Sequence, residues 1–296
     1  MKSDLLNDAV TNEILMHRDA HFGGHFPTMI EYYQREGKGI NPAFTVKRMI
    51  ELADIESKMG QDLSTVVLSG PEAEKVGKAR SMYKSLRELY EKKLESDLPK
   101  LIADLILSEE EDPIAEMQAI IDRKSEIVPS LITLLHTNEL YDSLFPGYGL
   151  APEFAAKCLG EIGDKRALFA LFENLGKSDF FHENRLIDAI HAIGQPAKDF
   201  LLKILRARPI TNDTERAAVA LIAFKDDEEI ANACLELLKQ PDVLRHTVLA
   251  TYLILGCEGL TDPGHRMDFI HLASQDSFPD ILSPDVKQIE KMWEKP

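Results

Sequence analysis

The stretch APEFAAKCLGEIGDKRALFALFENLG, residues 151–176, contains two short apolar segments separated by Gly163. Apolar residues recur at helical spacing before this glycine, and a second apolar segment runs from Ala167 to Leu175. A tight turn between two helices needs a residue in the left-handed conformation, which glycine adopts at little cost. The stretch therefore predicts a pair of antiparallel helices, and related stretches follow it along the chain.

The position that closes the first helix of each pair recurs with a constant period. It falls at residues 163, 194, 225 and 256, which are 31 residues apart each time. Three of these positions are glycine, and Lys225 occupies the other, so its turn should be looser or capped differently. One helix pair cannot bury its apolar face alone, whereas stacked pairs cover one another. We therefore predict an all-α fold containing an α-solenoid. The second helices of the four pairs are predicted at 167–175, 197–205, 230–238 and 267–273.

This pattern resembles the HEAT-like repeat superfamily, and Leu159-Gly160-Glu161-Ile162-Gly163 is similar to the short phycobilisome-lyase type of repeat. The resemblance covers residues 151–277 and implies an architecture rather than one activity, since such repeats occur in scaffolds, lyases, glycosylases and hydroxylases. It also implies that the second helices line the concave side of the array. The surface residues expected there are Lys165, Glu173, Lys203, Arg206, Asn232 and Glu236.

The repeat pattern divides the chain into two predicted regions. Residues 1–110 form an irregular helical amino-terminal region, and residues 111–296 form the repeat solenoid, with clear repeats at 151–277 and a carboxyl-terminal cap at 278–296. The boundary is placed on the acidic run 109–112, which precedes a proline. Whether residues 1–110 fold separately stays open at this stage.

Charge and hydropathy restrict the classes of partner. The chain has 50 acidic and 34 basic residues and a net charge of −16, which repels phosphate backbones and anionic lipid. Nucleic acid and membrane surfaces are therefore disfavoured, and a protein or peptide partner is favoured. The longest apolar run, 247–257, is too short to span a bilayer. Asp4 and Asp8 interrupt the apolar stretch that a signal peptide needs, so we predict a cytoplasmic protein.

A cluster of possible metal ligands lies near the amino terminus. His17, Asp19, His21 and His25 occur within the sequence MHRDAHFGGHF. Imidazole and carboxylate are ligands that iron, zinc and manganese accept, and the i, i+4 spacing of His17 and His21 places both on one helix face. The other interpretation is that these histidines cap helix ends and pack beside neighbouring aromatic residues.

No nucleophile elbow, Walker loop or dinucleotide-binding glycine motif accompanies the repeats. The leading hypothesis is therefore a non-catalytic scaffold or adaptor that binds a protein and needs no cofactor. The alternative is a metal-dependent enzyme, or a protein that binds a small ligand of the tetrapyrrole type, with its site in the amino-terminal cluster. The oligomeric state and the identity of the partner stay open.

Overall fold

The computed structural model describes residues 8–177 and 180–294, with the backbone alone for 180–182. Within these ranges the chain forms seventeen α-helices, joined by loops and short 3-10 turns, and no strand, so the all-α prediction is confirmed. The helices are α1 Ala9–His21, α2 Phe26–Gln34, α3 Val46–Met59, α4 Leu63–Val67, α5 Gly70–Glu91, α6 Leu98–Leu107, α7 Ile114–Ile121, α8 Val128–Leu135, α9 Ala151–Ile162, α10 Leu168–Asn174, α11 Phe180–Ile193, α12 Gln195–Leu205, α13 Asn212–Leu221, α14 Glu228–Leu238, α15 Thr247–Gly256, α16 Pro263–Ala273 and α17 Ser283–Trp293.

None of the helices in the described ranges is both long and apolar enough to cross a membrane.

The chain divides into two compact units, unit 1 up to Cys158 and unit 2 from Leu159 onward. This grouping differs from the predicted division at 110/111. Helix α6 buries Ala103, Leu105 and Ile106. It packs against the preceding helix α5 and against the two following helices, α7 and α8. The acidic run 109–112 thus connects helices that belong to the same unit.

Helix α1 is the centre of unit 1. Its residues Ile14 and Leu15 pack in a core with α2, α3 and α4, while Met16 and Ala20 pack in a second core with α5 and Leu144. A helix that is covered on several sides has no single apolar stripe, so apolar and polar residues alternate irregularly along its sequence. Several polar residues of α1 are therefore buried together with its apolar residues.

The helices of unit 2 pack in a regular order. Each helix from α10 to α12 packs against the next helix in the chain. Helix α14 packs against α15 in the same way, and α16 packs against α17. Alternate helices also touch, since α11 packs on α13, α13 on α15 and α15 on α17. The predicted second helices agree with α10, α12, α14 and α16 to within a few residues.

The repeated turn position uses glycine in two different ways. Gly163 and Gly194 have φ angles of 69° and 78°, as the turn argument predicts. Gly256 has a φ angle of −63° and is the last residue of α15. A Cβ there would lie 2.7 Å from Sγ of Cys234, so this glycine allows close helix packing instead of a left-handed turn. Lys225, with φ −58°, follows a 3-10 turn and reaches Glu258, which confirms the different cap.

Replacing Gly160 with Ala should destabilise unit 2. A Cβ at Gly160 in α9 would lie 2.8 Å from the backbone Cα of Ala189, which cannot rotate away. We expect a loss of about 1 to 3 kcal/mol in the free energy of unfolding, measured by urea denaturation with Trp293 fluorescence as the probe. The same change at Gly77 in α5, where nothing lies within 4 Å, should instead stabilise its helix by up to about 1 kcal/mol. Equal effects at both sites would contradict the packing argument.

Candidate functional site

A cleft of about 670 Å³ lies on the surface of unit 2 where α12 ends beside α14. It includes Arg206, Asn232 and Glu236, three of the six residues that the repeat pattern predicts for the binding face. Its size falls in the range of cavities that hold ligands or peptide side chains. The remaining residues of the lining are Glu228, Glu229, Ala233, Leu237 and Gln240.

The position of α14 in the cleft is fixed by its amino-terminal end. Asp227 caps the helix and accepts hydrogen bonds from the backbone N–H groups of Glu229 (2.9 Å) and Ile230 (3.4 Å). Lys198 of α12 is nearly buried, and its Nζ lies 2.9 Å from carboxylate oxygens of both Asp227 and Glu229. The hydrogen bonds that Lys198 donates to Glu229 and Asp227 raise the pKa of Lys198. This contact holds α12 and α14 together at one end of the cleft.

Asn232 gives the cleft an unpaired hydrogen-bond acceptor. Its Oδ1 is buried and has no hydrogen-bond partner among the described residues. Buried polar atoms in proteins nearly always have a partner, so a ligand that donates a hydrogen bond here would gain more than at an exposed site. Arg206 is exposed at the carboxyl end of α12 and provides the positive charge in the lining of the cleft. The cleft therefore offers acceptors and carboxylates on α14 and one positive group on α12.

The other three predicted residues lie outside this lining. Lys165 is exposed on a 3-10 turn before α10, and Lys203 is exposed on α12. Glu173 is half-buried in α10. The structure thus brings together Arg206, Asn232 and Glu236 but not the full predicted set.

Glu228, Glu229 and Gln240 also line the cleft, although the repeat pattern does not predict them for the binding face. The first two belong to the acidic run that begins α14, where negative side chains are also favoured by the helix dipole. Gln240 accepts a hydrogen bond from Arg208. The acidic run was a visible signal, but its position at a helix start explains it equally well without any binding role.

In unit 1, the predicted metal ligands His17 and His21 lie one turn apart on α1, with ring centroids 5.2 Å apart. Both nitrogens of His21 already have partners, since Nδ1 lies 2.6 Å from the hydroxyl of Tyr83 and Nε2 lies 3.0 Å from the carbonyl oxygen of Ser143. The ring also stacks on Tyr148 at 4.3 Å. His21 is thus a packed and hydrogen-bonded residue in this structure.

Asp19 belongs to a different group of charges. Its Oδ1 accepts from Arg18, whose side chain is fully buried. Arg18 also binds Oε2 of Glu56 at 2.5 Å and Oδ1 of Asp62 at 2.6 Å, and it lies 4.7 Å from the ring of Phe26. The guanidinium therefore joins α1 to α3 and to the start of α4.

His25 is separated from the other predicted ligands. It is exposed and occupies the residue before α2, after the positive-φ residues Gly23 and Gly24. Within the described residues, no three His, Cys, Asp or Glu side chains are grouped so that they could hold a metal ion. The structure therefore does not bring His17, Asp19, His21 and His25 together as one set of ligands.

The three cysteines Cys158, Cys234 and Cys257 are buried and form no disulfide with one another, as expected for core residues. Burial raises the pKa of the Cys234 thiol to about 12, which keeps it protonated and unreactive at neutral pH.

No protein-family model matches the chain, and no curated protein and no solved structure matches it either.

Replacing Arg18 with Met should destabilise unit 1 strongly, because Asp19, Glu56 and Asp62 would lose their shared cation inside the protein. We expect a loss of about 3 kcal/mol or more in the free energy of unfolding. The tyrosines, all but Tyr252 in unit 1, provide the signal in urea denaturation. The matched change at the exposed Arg35, which among the described residues has an ion pair with Glu31 one turn earlier, should cost less than about 0.5 kcal/mol. Similar losses at both arginines would contradict this role for Arg18.

Unit 1 should lose stability as the pH falls from 7 to 5. Burial lowers the pKa of His17 to about 4, and burial together with His17 lowers that of His21 to about 3, both from 6.5. The unfolded chain therefore takes up protons below pH 6.5 that the folded chain does not, so the folded state loses stability in that range. Each histidine contributes about 2 kcal/mol to the difference between pH 7 and pH 5.

Replacing His17 with Gln should remove about 2 kcal/mol of that pH dependence. The exposed His25 provides the control, since its replacement with Gln should leave the difference between pH 7 and pH 5 unchanged. Urea denaturation of each variant at the two pH values measures both effects. An unaltered difference in the His17→Gln variant would show that His17 does not cause the acid sensitivity.

Proposed function

We propose that the chain is a non-catalytic, cytoplasmic adaptor built from HEAT-like helical repeats, and that it binds a protein or peptide at the cleft between α12 and α14. The observation that carries the proposal is that Arg206, Asn232 and Glu236, chosen from the repeat pattern alone, line one cleft. Second helices of successive repeats would supply such a surface in a solenoid.

Side-chain contacts between successive repeats support the solenoid arrangement. Lys198 binds Asp227, which lies 29 residues later, and Lys225 binds Glu258, which lies 33 residues later. These separations are close to the period of 31 residues in the sequence. Each contact therefore joins a residue to the equivalent region of the next repeat, as nearest-neighbour stacking requires.

The charges around the cleft indicate the chemistry of the partner. The lining contains the carboxylates of Glu228, Glu229 and Glu236 and one guanidinium, that of Arg206; Glu229 also binds Lys198, and Glu236 also binds Lys239. A partner with basic groups for α14 and an acidic group for Arg206 would match this pattern, because complementary charge selects partners at polar interfaces. The acceptor of Asn232 would bind a donor of that partner in the centre.

The alternative function, a metal-dependent enzyme or tetrapyrrole-binding protein, has less support. It depends on His17, Asp19, His21 and His25, and Oδ1 of Asp19 and both ring nitrogens of His21 are already bound to protein groups.

Replacing Arg206 with Glu should weaken partner binding about tenfold or more without lowering thermal stability. Arg206 is exposed and has no ion pair with the described residues, so its loss leaves no buried charge. The measurement uses peptides selected on the full chain from a random displayed library, with affinities determined by calorimetry. Arg245→Glu makes the same charge change at an exposed residue outside the cleft and should leave affinity nearly unchanged. Peptides that bind the wild type and the Arg206→Glu variant equally would remove this cleft from the proposal.

A further inference from the structure

Unit 1 has a second cleft, of about 600 Å³, beside the amino-terminal half of α1. Its lining combines a few apolar side chains with several charged and amide groups. The residues are Ala9, Asn12, Glu13, Met16, His17, Asn41, Pro71, Glu72, Lys75, Asp142, Ser143 and Leu144. None of the residues in this cleft belongs to the binding face proposed above.

His17 lines this cleft and is unusual among its residues because it is both deeply buried and unpaired. Only 7 % of the surface of His17 is exposed to solvent. The ring contacts His21 and, edge-on, Phe44 at 5.1 Å, but neither ring nitrogen has a hydrogen-bond partner among the described residues. Buried polar groups are normally satisfied, so the imidazole is available to a group that enters the cleft.

The protonation state of His17 determines what it can bind. Burial outweighs the attraction of Asp142 and lowers the pKa of His17 to about 4, so the ring is neutral at neutral pH. A neutral imidazole has one nitrogen that accepts a hydrogen bond and one that donates. The accepting nitrogen can therefore bind an N–H group without charge repulsion.

The charges around His17 are mainly negative. Glu13 is exposed and has no partner among the described residues. Glu72 accepts from the backbone N–H of Ser69 at 2.6 Å and from Asn12 at 2.9 Å, and Asp142 binds Lys75 at 2.5 Å. Three carboxylates thus surround one ammonium group, which favours a positively charged ligand.

We propose that this cleft is a binding site for a small organic cation that carries an ammonium or guanidinium group. An N–H of the ligand donates to the free nitrogen of His17, and its charge is balanced by Glu13. The aliphatic part of the ligand packs against Met16 and Leu144, which line the same cleft. Glu72 and Asp142 add to the negative potential while keeping their own partners.

The proposal is tested on the full chain with ligands that share one carbon chain and differ in charge. The probes are 1,4-diaminobutane, its guanidinium analogue agmatine, the neutral 1,4-butanediol and the anionic succinate. Long-range ¹H–¹⁵N spectra of histidine-labelled protein report on the His17 ring, which is assigned with His17→Gln. We expect the two cations to shift the His17 signals with a dissociation constant below about 1 mM, and the diol and succinate to cause no shift.

Two glutamate variants separate specific binding from general attraction. Glu13→Gln should weaken diamine binding about tenfold, whereas Glu95→Gln, the same charge change at an exposed residue outside the lining, should not. Glu13 is exposed, so its variant stays folded even if the His17 variant does not. Equal weakening by both variants would overturn the proposal. So would binding of the diol or succinate at His17, or no His17 shift at about 10 mM diamine.

Discussion

The structure depends on the burial of one apolar face on each of many short helices. The helices that are described completely in unit 2 have between 7 and 11 residues, and isolated helices of that length are not stable in water. Their stability comes from tertiary contact, as in α14, where Ile230, Ala231, Cys234 and Leu238 are all buried. Each helix must therefore be covered by its neighbours in sequence and by the next helix but one. The opposite faces carry no such constraint, so polar residues such as Asn232 and Glu236 can serve recognition there.

In unit 1 an ionic contact also holds several helices together. Arg18 is fully buried and joins carboxylates of α1, α3 and the loop before α4. Burial raises the pKa of Asp62, but hydrogen bonds from Arg18 and from the backbone of Ser64 outweigh it and lower the pKa overall. The buried cation and its partners are therefore stable only together. This coupling fixes the direction of α1, which in turn places His17 in its cleft.

The helix pairs of unit 2 were predictable because their apolar spacing and their turn glycines act locally. The residues around Gly163 and Gly194 indicate both the helices and their turns. Unit 1 was less predictable because α1 is buried on several sides, and its polar residues resemble a metal site in sequence. The consecutive residues Val66, Val67 and Leu68 are of types common in strands, yet Val67 ends α4, since Asp62 caps that helix and Leu63 is buried in the core. The ligand-like spacing of His17 and His21 was real, but the partners of His21 come from Tyr83 and Ser143, far away in sequence.

The net charge of −16 reflects the excess of acidic over basic residues, and the structure shows where some of the cations are placed. Among the described residues, the buried cations Arg18, Lys38 and Lys198 all bind groups of the protein itself. Lys38, for example, donates to the carbonyl oxygen of Ser108 and lies over the ring of Phe154. Each of the two clefts, by contrast, contains more carboxylates than cations and one unpaired acceptor. Asn232 in one unit and His17 in the other are such acceptors, and each is flanked by glutamates. Both proposals therefore rest on the same physical argument, that clefts of this kind favour ligands that bring hydrogen-bond donors and positive charge.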